Sequence, residues 1–308
     1  MTSAVVFAYH DVGVRCLNVL LAQGVTVRHV YTHTDDPNEN IWFGSVAAVA
    51  QQHGLPVTHV TDASQPGLMA SVAATQAEYL FSFYYRYMLP PAVLALASRG
   101  ALNLHGSLLP KYRGRVPVNW AIIHGEHETG ATLHEMAAKP DAGCIIDQQA
   151  VPILPNDLAI DVFRKVTVAA ELVLHRALPH LLNGTAVRTP QDLAAGSYYG
   201  GRKPEHGRID WSWSAVRIHN LIRAVAPPYP GAFAMIDNHR LQILHTLNVQ
   251  QCSPATGAAA LFSDNNQLYL RCSDGGILQV LRATIDEQEL TAQSLQTHLG
   301  TSHFNFTH

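Results

Sequence analysis

Hydrophobic and polar positions alternate along the first half of the chain in blocks that switch between strand and helix spacing. Short runs rich in Val, Phe and Tyr at 4–9, 25–33 and 55–60 predict strands. Between them, 14–24 and 44–54 repeat apolar positions at helical spacing and end in glycine. This rhythm predicts an α/β unit with a Rossmann-like, doubly wound and mostly parallel sheet.

The same rhythm continues to about residue 183, and the composition then changes. The segment 184–207 is rich in Gly, Pro and small polar residues, which is typical of a linker. Beyond it, short strands and turns predict a smaller, largely β, OB-like domain. We therefore expect a catalytic domain at 1–190, a linker at 191–207 and a β-rich domain at 208–308. The remaining predicted strands are 79–85, 101–105, 130–136 and 144–153, and the remaining predicted helices are 91–100, 117–125 and 158–183.

Composition narrows the class of protein. Of 308 residues, 47% are hydrophobic and 14% are charged, which is enough apolar material for a sizeable core. The net charge of −3 argues against a general binder of nucleic-acid phosphates. Four scattered cysteines without a C-x-x-C pair favour reduced thiols in a cytoplasmic protein, and no apolar stretch is long enough to cross a membrane.

Candidate chemistry begins at the end of the predicted strand 101–105. Asn103 and His105 are two residues apart, so their side chains point to the same face of the sheet. An amide can donate to a developing oxyanion, and an imidazole can move a proton near neutral pH. Asp141, in the turn KPDAG between two predicted strands, is placed to orient that imidazole. The set suits acyl transfer; the alternative is a turn-capping Asn, a structural His and an ordinary turn Asp.

Other chemistries fit the sequence less well. Residues 8–13 read AYHDVG rather than G-x-G-x-x-G, which disfavours a nicotinamide cofactor. Ser107 lies in HGSLL and not in the G-x-S-x-G elbow of a serine hydrolase. No helical H-E-x-x-H is present, so no metal is expected. The side chains considered for a zinc site are His105, His124, His127, His134 and Asp141.

The motif Asn103-x-His105, followed by GSLLPKYRG and then by Asp141, resembles the signature of enzymes that transfer or release the formyl group of N10-formyltetrahydrofolate. The longer segments 5–13, 32–39 and 223–233 are similar to one branch, the formyltransferase part of the bifunctional polymyxin-resistance enzymes. That resemblance implies formylation of UDP-4-amino-4-deoxy-L-arabinose on the way to modified lipid A. The decarboxylase half of that family is missing from the sequence, so we expect a stand-alone formyltransferase.

The resemblance also assigns roles to residues. It implies that Asn103 stabilises the oxyanion, that His105 transfers the proton and that Asp141 tunes His105. The loop AAKPD departs from the branch in its small residues, which affects side-chain contacts and not the position of the loop. The resemblance places N10-formyltetrahydrofolate, a co-substrate, on Tyr87, Met88, Leu89, Arg115, Ala137, Ala138, Lys139, Pro140 and Asp141.

Several acceptors and one non-enzymatic role remain open. Methionyl-tRNA formyltransferase is the alternative enzyme, but residues 205–308 hold six Arg, no Lys and eight Asp or Glu, a balance of −2 that opposes nucleic-acid binding. A glycinamide ribonucleotide enzyme would lack the second domain. Hydrolysis by water needs only the same three residues, and a non-catalytic folate or sugar-nucleotide binding protein is the alternative from another class. A homodimer through the β-rich domain is a further expectation.

Overall fold

The computed structural model describes residues 2–62, 65–252 and 258–306. They form two compact units. The first comprises Met1–Pro117, Thr129–Val151 and Arg164–Gly200, and the second comprises Val118–Glu128, Pro152–Phe163 and Gly201–His308. No helix among the described residues combines the length and the apolar character needed to cross a bilayer.

The first unit is built on a seven-stranded sheet. Its strands are β1 (Ser3–Ala8), β2 (Thr26–Thr32), β3 (Val57–His59), β4 (Tyr79–Phe83), β5 (Gly100–His105), β7 (Glu128–Glu135) and β8 (Ile145–Pro152), and β6 (Arg113–Gly114) lies outside it. The order is β3-β2-β1-β4-β5-β7-β8. The first five strands are parallel, and β7 runs antiparallel to β5. This confirms the expected Rossmann-like, mostly parallel sheet.

Six helices accompany these strands along the chain, at α1 (His10–Ala22), α2 (Val46–Gln52), α3 (Leu68–Thr75), α4 (Pro91–Leu94), α5 (Pro117–Ile123) and α6 (Ala159–Leu182). The helix expected at 91–100 was too long, because α4 has only four residues. The helix α3 was not predicted. Its mean hydropathy is high, and only Leu68 and Val72 of its side chains are fully buried, so it carries a weak amphipathic signal.

The central strands are buried on both faces, as the apolar runs in the sequence require. All six residues of β1 are buried, and Phe7 stacks on Tyr31 of β2 with ring centroids 4.6 Å apart. The strand predicted at 79–85 ends at Phe83, because Tyr84 adopts a left-handed conformation with φ of 54°. Polar side chains therefore appear where the strands end, at Ser82, Asn103 and His105.

The segment predicted to be a linker contains ordered elements. A short 3₁₀ helix at Leu193–Ala195 is followed by the strand β9 (Tyr198–Tyr199), which pairs in parallel with β6. A second 3₁₀ helix spans Pro204–Gly207. The β6–β9 pair fixes the backbone around Gly114, and the domain boundaries drawn from composition stay a prediction.

The second unit contains an antiparallel sheet and a helix. The helix α7 (Ala215–Val225) was not predicted from the sequence. Ser214 caps it by accepting the Arg217 N–H at 3.3 Å, and Ile218, Leu221 and Ile222 enter the core. The sheet order is β10-β11-β14-β13-β12-β16, formed by β10 (Ala232–Ile236), β11 (His239–Cys252), β12 (Ala260–Asp264), β13 (Gln267–Arg271), β14 (Gly276–Ile285) and β16 (His303–Asn305), with β15 (Gln288–Glu289) on β14 and α8 (Leu295–Leu299) before β16. The expected β-rich second fold is confirmed.

Candidate active site

The strand β5 presents Asn103 and His105 on one face, and its antiparallel partner β7 completes that face. In the register of the two strands, Asn103 lies opposite His134 and His105 lies opposite Thr132. His105 is buried, with 6% of its surface exposed, and Asn103 is half-buried. This face, at the end of β5, therefore combines a partly accessible amide with an imidazole that is shielded from water.

Asp141 reaches this face from the turn that follows β7. Its backbone is left-handed, with φ of 51°, so the turn carries the carboxylate back towards β5. The carboxylate oxygen Oδ2 lies 3.6 Å from Nδ1 of His105, and Oδ1 lies 3.5 Å from Nε2 of His134. The structure thus groups Asp141 with His105, and through His134 with Asn103.

Backbone geometry fixes the carboxylate from the other side. The Gly114 N–H donates to Asp141 Oδ2 at 2.8 Å. Gly114 is held there because Arg113 and Arg115 donate their backbone N–H groups to Ser197 and Tyr199, each at 3.0 Å. Gly114 has φ of 99°, and a Cβ at this position would lie 2.1 Å from the Tyr199 carbonyl oxygen. Glycine is therefore required here, which explains the Gly in the motif KYRGR.

The charge of Asp141 is stabilised by its neighbours. Burial raises the pKa of its carboxyl, but the positive charge available at His105, the contacts with His134 and the Gly114 N–H together hold that pKa well below its usual value of 3.8. Asp141 is therefore an anion at neutral pH, although only 13% of its side chain is exposed.

His105 has a defined tautomer. Its Nε2 lies 2.8 Å from the Tyr112 carbonyl oxygen, which can only accept, so Nε2 carries the proton. In the neutral ring Nδ1 is therefore the basic nitrogen, and it is the nitrogen that faces Asp141. The ring can gain and lose a proton at Nδ1 while its other nitrogen stays anchored to the backbone.

His134 is a site residue that sequence reasoning missed. We considered it only for a zinc site, and among the described residues no group of His, Cys, Asp or Glu is arranged to hold a metal ion. Its Nε2 lies 3.1 Å from Asn103 Nδ2, and its Nδ1 lies 2.8 Å from the Glu135 carbonyl oxygen. No local motif marks this residue, because its role depends on the register between β5 and β7.

The residues expected to hold folate lie in three segments that follow β4, β6 and β7. Met88 is 55% exposed, whereas Leu89 is 3% exposed and packs in the core, so Leu89 has only its backbone to offer a ligand. Tyr87 is partly exposed and donates its hydroxyl to the Thr61 carbonyl oxygen at 2.7 Å. The others are exposed or half-buried: Arg115, Ala137, Ala138, Lys139 and Pro140.

Replacing the buried carboxylate should change the pH dependence of stability. Because the pKa of Asp141 is lower in the folded protein, its contribution is present above the usual Asp value of 3.8 and is lost as the pH falls below it. We expect Asp141→Asn to lose part of the decrease in unfolding free energy that wild type shows between about pH 6 and about pH 3. Urea unfolding at several pH values measures this difference, with Glu205→Gln as an exposed control; parallel curves for wild type and Asp141→Asn would contradict it.

Comparisons with known proteins identify the family of this chain. A family model described as formyl transferase matches residues 14–178, and one described as formyl transferase, C-terminal domain, matches residues 202–298. An N-formyltransferase from Helicobacter canadensis, in a complex with folinic acid and dTDP-3-aminofucose, has a TM-score of 0.74 and 21% identity, covering 94% of this chain and 100% of that one.

Two further structures have the same fold. A 4-N formyltransferase from Francisella tularensis has a TM-score of 0.63 and 18% identity, covering 77% of this chain and 93% of that one. HypX from Aquifex aeolicus, in complex with tetrahydrofolic acid, has a TM-score of 0.64 and 17% identity, covering 97% of this chain and 48% of that one. Since the first family model alone spans more than half of the sequence, the chain belongs to the formyl transferase family.

Proposed function

We propose that this protein transfers the formyl group of N10-formyltetrahydrofolate to the amine of a nucleotide-linked amino sugar. The observation that carries the proposal is the convergence of Asn103, His105 and Asp141 on one face of β5, with the distances given above. The Helicobacter canadensis structure supports the reactant classes, since its name gives a folate and a dTDP-linked amino sugar. No metal enters the proposal.

In the proposed reaction, the sugar amine attacks the formyl carbon and a new C–N bond forms. Negative charge develops on the formyl oxygen, and Asn103 donates an N–H of its side chain to that oxygen. One N–H of the amide is already directed to His134, which leaves the other for the substrate. Removing one donor of this kind typically lowers kcat by about 10²–10³-fold.

The tetrahedral intermediate collapses when the bond from the formyl carbon to N10 breaks. His105 takes the proton of the attacking nitrogen on Nδ1 and returns it to the leaving N10, which restores the neutral ring. Asp141 stabilises the imidazolium in between, and the Tyr112 carbonyl keeps the ring in place. General acid–base catalysis of this type contributes roughly 10²–10⁴-fold.

The exposed segments around the site suit a pterin and its glutamate. Met88 and Tyr87 offer partly exposed apolar and aromatic surface to the ring system. Arg115 is exposed and offers a guanidinium to a carboxylate. The loop at 137–141, in which Ala138 and Lys139 are exposed, is the segment from which we expect main-chain hydrogen bonds to the pterin.

The candidate binding site for the acceptor lies where the strand order of the parallel sheet reverses, between β1 and β4; we call it the acceptor seat. His10, just after β1, stacks on Phe43 at 3.8 Å and meets Trp42 edge-on at 4.6 Å. These rings suit a nucleotide base. Tyr84, after β4, connects this seat to the catalytic strand, because a Cβ on Gly106 would lie 2.0 Å from its hydroxyl oxygen.

Within this class we favour UDP-4-amino-4-deoxy-L-arabinose, and with it lipid A modification, polymyxin resistance and a cytoplasmic location. The support is the sequence resemblance of segments 5–13, 32–39 and 223–233. Methionyl-tRNA is disfavoured as acceptor because residues 205–308 contain six Arg and eight Asp or Glu, a net charge of −2 that opposes nucleic-acid binding. A homodimer through the second unit is part of the same proposal.

An acceptor panel tests the activity. Wild type with N10-formyltetrahydrofolate should formylate UDP-4-amino-4-deoxy-L-arabinose faster than dTDP-linked amino-hexoses, and should leave initiator methionyl-tRNA unmodified, with mass spectrometry as the readout. His105→Ala is the matched negative control. Formylation of tRNA, or binding of folate and sugar without turnover, would contradict the proposal in favour of its alternatives.

The oxyanion role predicts a kinetic effect without a folding effect. Asn103→Ala should lower kcat by about 10²–10³-fold while thermal unfolding stays close to wild type, since Asn103 is only half-buried. Asn156→Ala, an exposed amide in the turn before α6, should leave kcat unchanged. Wild-type kcat for Asn103→Ala would rule out the proposed role.

If the aromatic cluster of His10, Trp42 and Phe43 binds the acceptor, its loss should change KM for the acceptor and not KM for the formyl donor. Trp42→Ala should raise KM for the sugar nucleotide by about 5–100-fold, the effect of losing one base–aromatic stack, and leave KM for the formyl donor unchanged. Met69→Ala on α3 removes an exposed apolar side chain outside this aromatic cluster as the control. An increase in KM for the donor instead would move the acceptor away from this seat.

A further inference from the structure

We propose that His134 is the positioning residue for the oxyanion donor: its neutral ring accepts one N–H of Asn103 and thereby fixes the side-chain amide with its NH₂ group, and not its carbonyl, towards the formyl oxygen. The inference rests on the proposed function, because it assigns a role relative to that reaction. It stands on the register and hydrogen bonds of β5 and β7 and on the burial of the ring.

The tautomer of His134 follows from its partners. Nδ1 lies 2.8 Å from the Glu135 carbonyl oxygen, which can only accept, so Nδ1 carries the proton of the neutral ring. Nε2 is then a lone-pair acceptor, and it lies 3.1 Å from Nδ2 of Asn103. Only the NH₂ end of the amide can satisfy this acceptor.

The orientation of an asparagine amide is otherwise free to reverse. Its two ends have nearly the same shape, so a rotation by about 180° exchanges a donor for an acceptor without a steric penalty. With the carbonyl turned towards the substrate, two oxygens would face each other where negative charge develops. The anchor at His134 excludes this orientation, and the second N–H of the amide stays available to the formyl oxygen.

The position of His134 cannot adjust easily. The ring is 1% exposed, and the residue lies directly opposite Asn103 in the β5–β7 ladder, where facing Cβ atoms are about 4.5–5.5 Å apart. Thr132 is the next residue on the same face of β7. Its hydroxyl donates to the Ser107 carbonyl oxygen at 2.6 Å and accepts the Leu109 N–H at 3.2 Å, so it is already engaged elsewhere. His134 is therefore the side chain of β7 that faces the amide.

Two ionisable groups face His134. Asp141 Oδ1 lies 3.5 Å from Nε2, and the ring of His105 is 6.5 Å away at 78°. A proton on Nε2 would donate to Asp141 or to the carbonyl end of Asn103, and the amide would lose its anchor or reverse. The proposed role therefore belongs to the neutral ring, with Nε2 unprotonated.

Kinetics of matched variants test the proposal. His134→Leu should lower kcat by about 10–100-fold with both KM values within about 2-fold, because the donor is disordered rather than deleted. His134→Gln keeps an acceptor at nearly the same place, so kcat should stay within about 5-fold of wild type. A loss in His134→Gln as large as in His134→Leu would overturn the proposal.

A double-mutant cycle separates positioning from general packing. If His134 acts through Asn103, then Asn103→Ala combined with His134→Leu should have the same kcat as Asn103→Ala alone. Losses that multiply would show that the two residues act independently and would overturn the proposal. Thermal unfolding of each variant verifies that the comparison is made between folded proteins.

An NMR readout needs no acceptor and distinguishes this inference from the proposed function. In protein labelled with ¹⁵N-histidine at about pH 8, His134 should show a protonated Nδ1 and an unprotonated Nε2. The Nε2 resonance should shift in Asn103→Ala. If no amino sugar is formylated, the proposed function is wrong, but the tautomer of His134 can still be as inferred. A protonated Nε2 at that pH would contradict the inference itself.

Discussion

The Asp141 carboxylate lies between two imidazoles, 3.6 Å from Nδ1 of His105 and 3.5 Å from Nε2 of His134. Removing a carboxylate from water costs several kcal/mol unless charges and hydrogen bonds compensate. Here the compensation comes from the positive charge available at His105 and from the Gly114 N–H, whose position depends on the β6–β9 pair. The charge beside His105 is thus held in part by backbone structure that contributes no side chain to the proposed reaction.

The sheet topology explains why two kinds of site can occur in one unit. In the parallel part, the strand order reverses between β1 and β4, next to the stacked rings of His10 and Phe43. Beyond β5 the sheet continues with the antiparallel strand β7, which brings His134 face to face with Asn103. A parallel strand in that position would have required a crossover and a different partner for the amide. The reversal of strand order and the change to an antiparallel strand thus lie at two different places in one sheet.

At the site, the backbone determines which nitrogen of each histidine ring donates a hydrogen bond. Two imidazoles each donate one N–H to a backbone carbonyl, that of Tyr112 for His105 and that of Glu135 for His134. Each ring therefore presents its other nitrogen to the site as an acceptor. Nδ1 of His105 faces the Asp141 carboxylate, and Nε2 of His134 faces the Asn103 amide, which are the contacts behind the proton transfer and the amide orientation that we propose. Identical side chains thus acquire different tasks from which ring nitrogen the backbone occupies.

Much of the secondary structure of this protein follows from local sequence. Apolar runs of strand length, helical spacing and terminal glycines specify the strands and most helices of the first unit, because these signals need only a few neighbouring residues. The spacing of Asn103 and His105 puts them on one face of a strand, and the motif around them identifies the family. The same local reasoning overestimated α4 and overlooked α7, whose apolar stripe becomes meaningful only against the second sheet.

The tertiary structure decided the rest. The partner of Asn103 depends on the register of β5 against β7, and the approach of Asp141 depends on a left-handed turn that long-range contacts hold in place. The burial of Leu89 and the exposure of Met88, adjacent in sequence and equally apolar, likewise follow from packing. Local patterns determine which face a side chain is on, but only the assembled sheet determines what stands opposite it, because strand pairing joins residues that are distant in the chain.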